Sequence, residues 1–200
     1  MNEKSDFEVE ELVREEKHEG GMLPFLWEVV KFVFLAVIIV VPIRVFIAQP
    51  YIVSGSSMVP TFESGDYLIV DQLSYRFENP KRGDVVVFRY PRDPSKFFIK
   101  RVIALPHETI DIQKGVVTIK NEGHPEGIHI EEAYNKSLFN ATITKTLDEE
   151  EYFVMGDNRD ASLDSRSWGA LSQKLIVGRA FLRLFPVTNI SYLPGFVSYQ

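Results

Sequence analysis

Apolar positions run almost unbroken through "FLWEVVKFVFLAVIIVVPIRVFIAQP", residues 25 to 50, and then give way to short segments with strand-like alternation. As a helix, Phe25 to Ile47 is about 34 Å long, enough to cross a hydrocarbon core of about 30 Å. The stretch Phe32 to Ile43 is free of charge, a length that a buried helix of a soluble protein also reaches. Its flanks favour a membrane. Lys31 and Arg44 lie near the two ends, where long stems carry charge to an interface, and Trp27 stands as an interfacial aromatic. The pattern predicts three parts: an acidic tail over 1–24, a transmembrane anchor over 25–47 and a mostly β domain over 48–200.

Within the third part, "DYLIVDQL", "GDVVVFRY", "KFFIKRVIAL", "ETIDIQ", "VVTIK", "EYFVMGD" and "LIVGRAFLRLF" read as strands rich in β-branched and aromatic residues. "QKG" between two of them predicts a hairpin turn. The polar stretches 72–82 and 121–140, with their Gly, Pro and Asn, predict exposed loops or insertions. The fold class is therefore mostly β, with one N-terminal transmembrane helix followed by an antiparallel sheet domain. No repeat or low-complexity tract interrupts it.

Charge and composition narrow the function classes. A net charge of -6 and a pI near 5.3 argue against a nucleic-acid partner. Acidity is concentrated before the anchor, at Glu8, Glu10, Glu11, Glu15, Glu16 and Glu19, which predicts a solvated tail. With no cysteine, disulfides, thiol catalysis and cysteine metal sites are all excluded. A cut after Ala48 would place the bulky Phe46 at the third position back, against the small-residue rule for signal-peptide cleavage, so the apolar segment is expected to stay attached. Arg14, Lys17 and Lys31 set against Arg44 and Arg76 favour the N-terminus on the cytoplasmic side.

The candidate chemistry lies in "YIVSGSSMVPTF", residues 51 to 62. Three serines before a Pro-Thr turn are most often loop and capping residues, and a serine attacks an amide only when a base takes its proton. His18 lies beyond the anchor, and His107, His124 and His129 sit in turn-rich stretches, although a triad is assembled in space and stays open here. Lys100 stands out, because Phe97, Phe98, Ile99, Val102 and Ile103 surround it in a strand-like run. Alternation puts Phe98, Lys100 and Val102 on one face. An edge-strand lysine that discourages aggregation is the plain reading. Burial instead would lower its pKa from about 10.4 towards 7 or 8, which makes a general base. "DASLDS" departs from a calcium loop at Ser165 and Leu171. "RGD", 82–84, leads directly into a strand and reads as a turn, and "GDNRD" lacks the lysine and glycines of a phosphate loop.

"SGSSMVPTF", "KRGDVVVFRYP", "FFIKRVIALP" and "GDNRDASLDSRSWG" together resemble, in order and spacing, the bacterial type I signal peptidases, membrane-bound Ser/Lys proteases. The resemblance covers most of the chain after Tyr51. It implies the catalytic fold that signal peptidases share with self-cleaving SOS-response repressors, with Ser57 as nucleophile and Lys100 as general base. It makes Ser162 the residue that orients the lysine. Asp164 and Arg166 match charged residues that hold the site together near Arg101, and Met58 and Pro60 shape the turn. The oxyanion region is Gly55 and Ser57. Gly55 stands where some members carry a serine donor, and the Gly form is similar to Gram-positive enzymes, so the Ser57 N–H remains as the expected donor.

The same resemblance implies no metal or cofactor, preproteins with Ala-x-Ala-like sites as substrates, and the plasma-membrane bilayer as a partner, with the secretion translocon as another. The catalytic domain would be extracytoplasmic. The short connection between the lysine and "GDNRD" blocks argues against a large accessory β domain. Two rivals are weighed here: the SOS repressors need a DNA-binding domain that 1–24 is too short and acidic to supply, and a non-cutting β domain would not need Ser57, Lys100 and Ser162 together.

Overall fold

The computed structural model describes residues 22–42, 48–135, 139–197 and 199. The acidic tail and Arg44 lie outside the described residues. The apolar segment forms helix α1, Met22–Pro42, starting three residues before the expected anchor. It is long and apolar enough to cross a membrane. Its large apolar side chains are exposed on all sides, as in Phe25, Phe32 and Val40, a pattern that water does not favour. Residues 1–43 and 44–200 are separate units, and the second carries the chemistry.

That unit is built on antiparallel ladders. Its larger sheet runs β1 (Ala48–Ile52), β2 (Tyr67–Asp71), β11 (Ile176–Phe185), β3 (Val85–Tyr90), β4 (Asp93–Ala104), β9 (Glu151–Met155) and β10 (Leu171–Ser172), with β12 (Ser191–Tyr192) beside β11. The first strand of the path comes back towards β4. The ring of Tyr51 on β1 lies 5.5 Å from that of Phe97 on β4, although the two strands share no ladder. On β4, Arg101 to Ala104 pair with β9, whereas Asp93 to Lys100 pair with β3 alone. Half of this strand is thus an open edge.

The segment between the lysine and "GDNRD" blocks folds into a second sheet of β5 (Thr109–Gln113), β6 (Val116–Asn121), β7 (His124–His129) and β8 (Thr142–Thr146), ordered β7-β6-β5-β8. Its Ile110, Ile112, Val117 and Ile119 pack with Ile103, Phe153 and Met155 of the larger sheet in one core. It is an extension of that core, in line with the short connection. The expected loop over 121–140 is corrected in part, because His124–His129 is a strand: it is an edge strand, where a proline such as Pro125 is tolerated. The "QKG" turn forms with positive φ at Lys114 and Gly115, the geometry that suits a two-residue hairpin.

One buried ion pair joins the sheets. Glu108 accepts from Arg82 at 2.5 Å, from the Leu105 N–H at 2.8 Å and from Asn121 at 3.0 Å. Arg82 also donates to the Ile103 carbonyl. Replacing Glu108 with Ala leaves a buried guanidinium without its carboxylate. We expect the Glu108→Ala variant to lose about 3–5 kcal/mol in denaturant unfolding; a loss under about 1 kcal/mol would show that water replaces the carboxylate at no cost.

Candidate active site

Ser57 sits in the turn that follows β1. The Val53 N–H donates to the Asp66 carbonyl and the Gly65 N–H returns to Val53, both at 2.9 Å, which closes residues 53–66 into a loop. Met58, Phe62 and Val53 point inward and join Leu68, Val85 and Ala180 in a buried cluster. Met58 therefore seats the turn from below, while Ser54 and Ser56 face solvent. Gly55 has φ +96° with open space where a side chain would project. Backbone conformation, and not crowding, selects glycine there.

The structure places the Lys100 amine 2.7 Å from Ser57 Oγ. The amine also donates to the Ile99 carbonyl at 2.7 Å. Lys100 is only 4% exposed. On β4 it lies opposite Val86 of β3 and shares a face with Phe98 and Val102, beside an apolar cluster that contains Val86, Phe88 and Val154. It is not the solvated lysine of an aggregation-guarding edge. Burial pushes its pKa down to about 8, against the upward pull of Asp164 and Asp157. About a tenth of the amine is thus neutral at pH 7 and half near pH 8, and a neutral amine can take a hydroxyl proton.

Arg101 is turned to the other face by the same alternation and is 0% exposed. Its Nε and Nη2 hold Asp157 in a two-point pair at 2.8 and 2.5 Å, and Nη1 donates to the Gly83 carbonyl at 3.0 Å. Thr61, in the Ser57 turn, donates its hydroxyl to Asp157. Beside Asp157, Asn158 donates its N–H to the Ser57 carbonyl at 3.0 Å and its side-chain amide to the Ser56 carbonyl at 3.1 Å. The strand carrying the amine and the turn carrying the hydroxyl are thus joined through the "GDN" loop. A Cβ at Gly156 would stand 2.4 Å from the Ser57 carbonyl and 2.3 Å from Ser162 Oγ, so only glycine admits this approach.

The other residues expected to support the site lie around the same loop. Asp164 does not reach Arg101, whose carboxylate is Asp157. Instead it caps the short helix α2, Ser165–Trp168, takes Arg166 at 2.8 Å through both oxygens and accepts the Gly156 N–H at 3.1 Å. Burial alone would raise the Asp164 carboxyl, but Arg166 holds it below the ordinary carboxylate value. Arg166 reaches on to the Arg159 carbonyl at 2.7 Å. Ser162 Oγ is buried beside Gly156 without a well-formed hydrogen bond. The bonds of the Lys100 amine go to Ser57 and Ile99.

Sequence reasoning did not single out Asp157, Asn158 or Thr61. The first two lay inside the quoted "GDNRD" block, but nothing in their spacing distinguishes a partner of Arg101 from Asp160 or Asp164. His107, His124 and His129 lie in or beside the second sheet, and Ser57 takes its bond from lysine. Asp84 of "RGD" is buried and binds Tyr75 and the Lys81 N–H. That motif is a turn before β3.

Tyr51, Ile52, Phe97, Ile99, Leu163 and Val87 line a cleft of about 630 Å³ with Ser57 and Lys100 at its wall. Residues 26–185 match the family described as signal peptidase, peptidase S26. The chain belongs to this family. A probable signal peptidase I-1 of Synechocystis sp. is 35% identical over 191 residues, covering 89% of this chain and 94% of the relative. Signal peptidase I of Leptolyngbya laminosa is 38% identical over 176 residues, 84% of each chain. That of Bacillus caldolyticus is 32% identical over 170 residues, 80% of this chain and 91% of the relative. Like other signal peptidases, the chain is a serine endopeptidase that acts on preproteins.

The depressed pKa of Lys100 has a consequence for stability. Between about pH 8 and the ordinary 10.5 the unfolded chain holds a proton on Lys100 that the folded chain has released, so stability rises across that window as pH increases. Below it, folding must bury a charge. Comparing unfolding of wild-type and Lys100→Met proteins from pH 7 to 11 should show the variant ahead at pH 7 by roughly 3 kcal/mol, an advantage lost towards pH 10.5. A pH-independent difference would mean that the amine keeps its ordinary affinity for protons.

Proposed function

We propose that Ser57 and Lys100 carry out signal-peptide removal in this chain, with Ser57 as nucleophile and Lys100 as general base. The observation that carries the reading is the 2.7 Å contact between a hydroxyl and a buried amine at the wall of an apolar cleft. Neutral Lys100 takes the proton as Ser57 Oγ attacks the scissile carbonyl. The resulting ammonium passes it to the leaving amine, and Lys100 then activates the water that hydrolyses the acyl-enzyme. Among the described residues no acceptor takes the Ser57 N–H, which leaves it for the developing oxyanion. Gly55, in the same oxyanion region, adds no side-chain hydroxyl as a second donor.

Substrate binding follows from the open strand edges. Val102 directs its N–H and carbonyl to Asp84 and Gly83 on the β3 side, so alternation turns those of Phe97 and Ile99 the other way, into the cleft. An extended peptide can pair there and bring its carbonyl to Ser57. The apolar wall suits the small side chains of an Ala-x-Ala-like site. Ser162, Asp164, Arg166, Arg101 and Met58 act in support, holding the loops that carry the pair.

The N-terminal segment completes the reading. Residues 25–47 anchor the chain in a plasma membrane, with 1–24 as a cytoplasmic acidic tail and 48–200 as the extracytoplasmic catalytic domain. Helix α1 supports this by its length and its largely apolar surface, on which Glu28 and Lys31 are the charged residues. Only about ten residues of chain separate the anchor's expected end from Ser57, and the secretion translocon is a further expected partner.

Cleavage of a fluorogenic Ala-x-Ala peptide in detergent tests the assignment. Lys100→Ala should fold but turn over at least about a thousandfold more slowly, since binding and the oxyanion donor alone remain. Near-normal activity would remove Lys100 from the mechanism. The acidic limb of kcat/KM should have its midpoint near 8, because activity follows the neutral amine; a limb near 6.5 that tracked a histidine would restore the triad.

A further inference from the structure

Arg101 is buried not only by the sheet but also by a segment from far along the chain. Leu193 is tied to β11 by its N–H to the Phe181 carbonyl at 2.8 Å, and the Phe196 N–H closes a turn back to Leu193 at 3.1 Å. The turn presents the Gly195 carbonyl to Arg101 Nη1. Gly195 has φ +76°, and a Cβ there would lie 2.4 Å from Thr61 Cγ2 and 3.4 Å from Arg101 Nη2. Further on, the Val197 carbonyl and the Tyr199 ring lie over Gly83, where a Cβ would stand 1.9 and 3.3 Å from them. Tyr199 Oη meets Tyr134 Oη at 2.6 Å, and the Tyr134 ring covers the guanidinium with 4.1 Å to its centre. Tyr134 in turn donates to Glu132, the partner of Arg159. Two glycines with positive φ, both without room for a side chain, mark a fitted contact and not a loose tail.

On the reading that Lys100 is the base, we propose that Leu193 to Val197, together with Tyr199, form a strap that positions the dyad: seated on Arg101, it holds β4 against the "GDN" loop and so keeps the amine at Ser57. Gly195 and Tyr199 are its positioning residues. The coupling is short, since Arg101 is the next residue to Lys100 and its partner Asp157 also pulls on the Lys100 proton. With the strap lifted, water reaches the Arg101–Asp157 pair and Arg101 neutralises Asp157 less completely. Lys100 then holds its proton to higher pH and its strand loses a constraint.

The test uses the full chain in detergent with Gly195→Ala, Tyr199→Ala and Tyr199→Phe. The pH dependence of Lys100 modification by an amine-selective acylating reagent, read by mass spectrometry, requires no turnover. Gly195→Ala and Tyr199→Ala should raise its midpoint by about half a pH unit or more. The same two variants should lower kcat at least about fivefold with KM within about twofold, while Tyr199→Phe, which keeps the ring packed over Gly83, stays near wild type in both readouts. Should Gly195→Ala fail to fold, Tyr199→Ala carries the test. An unchanged labelling midpoint in folded Tyr199→Ala protein overturns the proposal, as does equal damage from Tyr199→Phe and Tyr199→Ala. Persistent cleavage by Ser57→Ala would sink the Ser/Lys reading instead, and the labelling midpoints would still judge the strap.

Discussion

Removing one amine from water without giving it a full counter-charge is the constraint around which this domain is arranged. A lysine whose nitrogen met a carboxylate directly would stay protonated and be useless as a base, and one left in solvent would do the same. Lys100 avoids both conditions. Its neighbours on the sheet are Val86, Phe98 and Val102, its hydrogen-bond partners are a hydroxyl and a carbonyl, and the nearby carboxylates are engaged by arginines. Asp157 belongs to Arg101 and Asp164 to Arg166, so each is largely neutralised before it acts on the amine. The buried ion pairs are therefore more than structural fasteners, because they set how much negative charge the Lys100 amine feels.

Strand alternation makes this economical in sequence. Two consecutive basic residues on β4 point to opposite faces, one towards the cleft wall and one towards the "GDN" loop. The first meets the hydroxyl, and the second, through Asp157 and Thr61, ties down the turn on which that hydroxyl rides. The open half of β4 adds a further property, since the same strand that presents the amine offers its unpaired backbone to an extended chain. On the proposed reading, binding and proton transfer are thus organised by one strand.

Much of this was legible in the residues. The seven strands read from β-branched and aromatic runs all form, because their side chains have a core on which to pack, and the "QKG" hairpin forms with the expected backbone. The strands that escaped notice are those whose stabilisation is not local. Ala48–Ile52, directly after the expected anchor, holds Gln49 and Pro50 and shows no strand-like run of its own. His124–His129 carries Pro and Gly, and Thr142–Thr146 is mostly exposed, so both depend on neighbours already in place. Ser57 and Lys100 came from four motifs in register, but the carboxylate of Arg101 did not. Asp157, Asp160 and Asp164 lie within eight residues of one another, and only the fold decides which of them meets Arg101. The contribution of Gly195 and Tyr199, nearly a hundred residues beyond Arg101, has no local signature at all.

Family membership, a cleft with an apolar wall and a hydroxyl–amine contact converge on one chemistry, and they do so only if the amine is neutral under working conditions. The most direct measurement is a nuclear magnetic resonance titration of the Lys100 side chain, isotopically labelled, in the folded full-length protein. The account predicts a single transition with its midpoint near 8. A midpoint at the ordinary 10.5 would contradict it, since an amine charged throughout that range could not take the Ser57 proton.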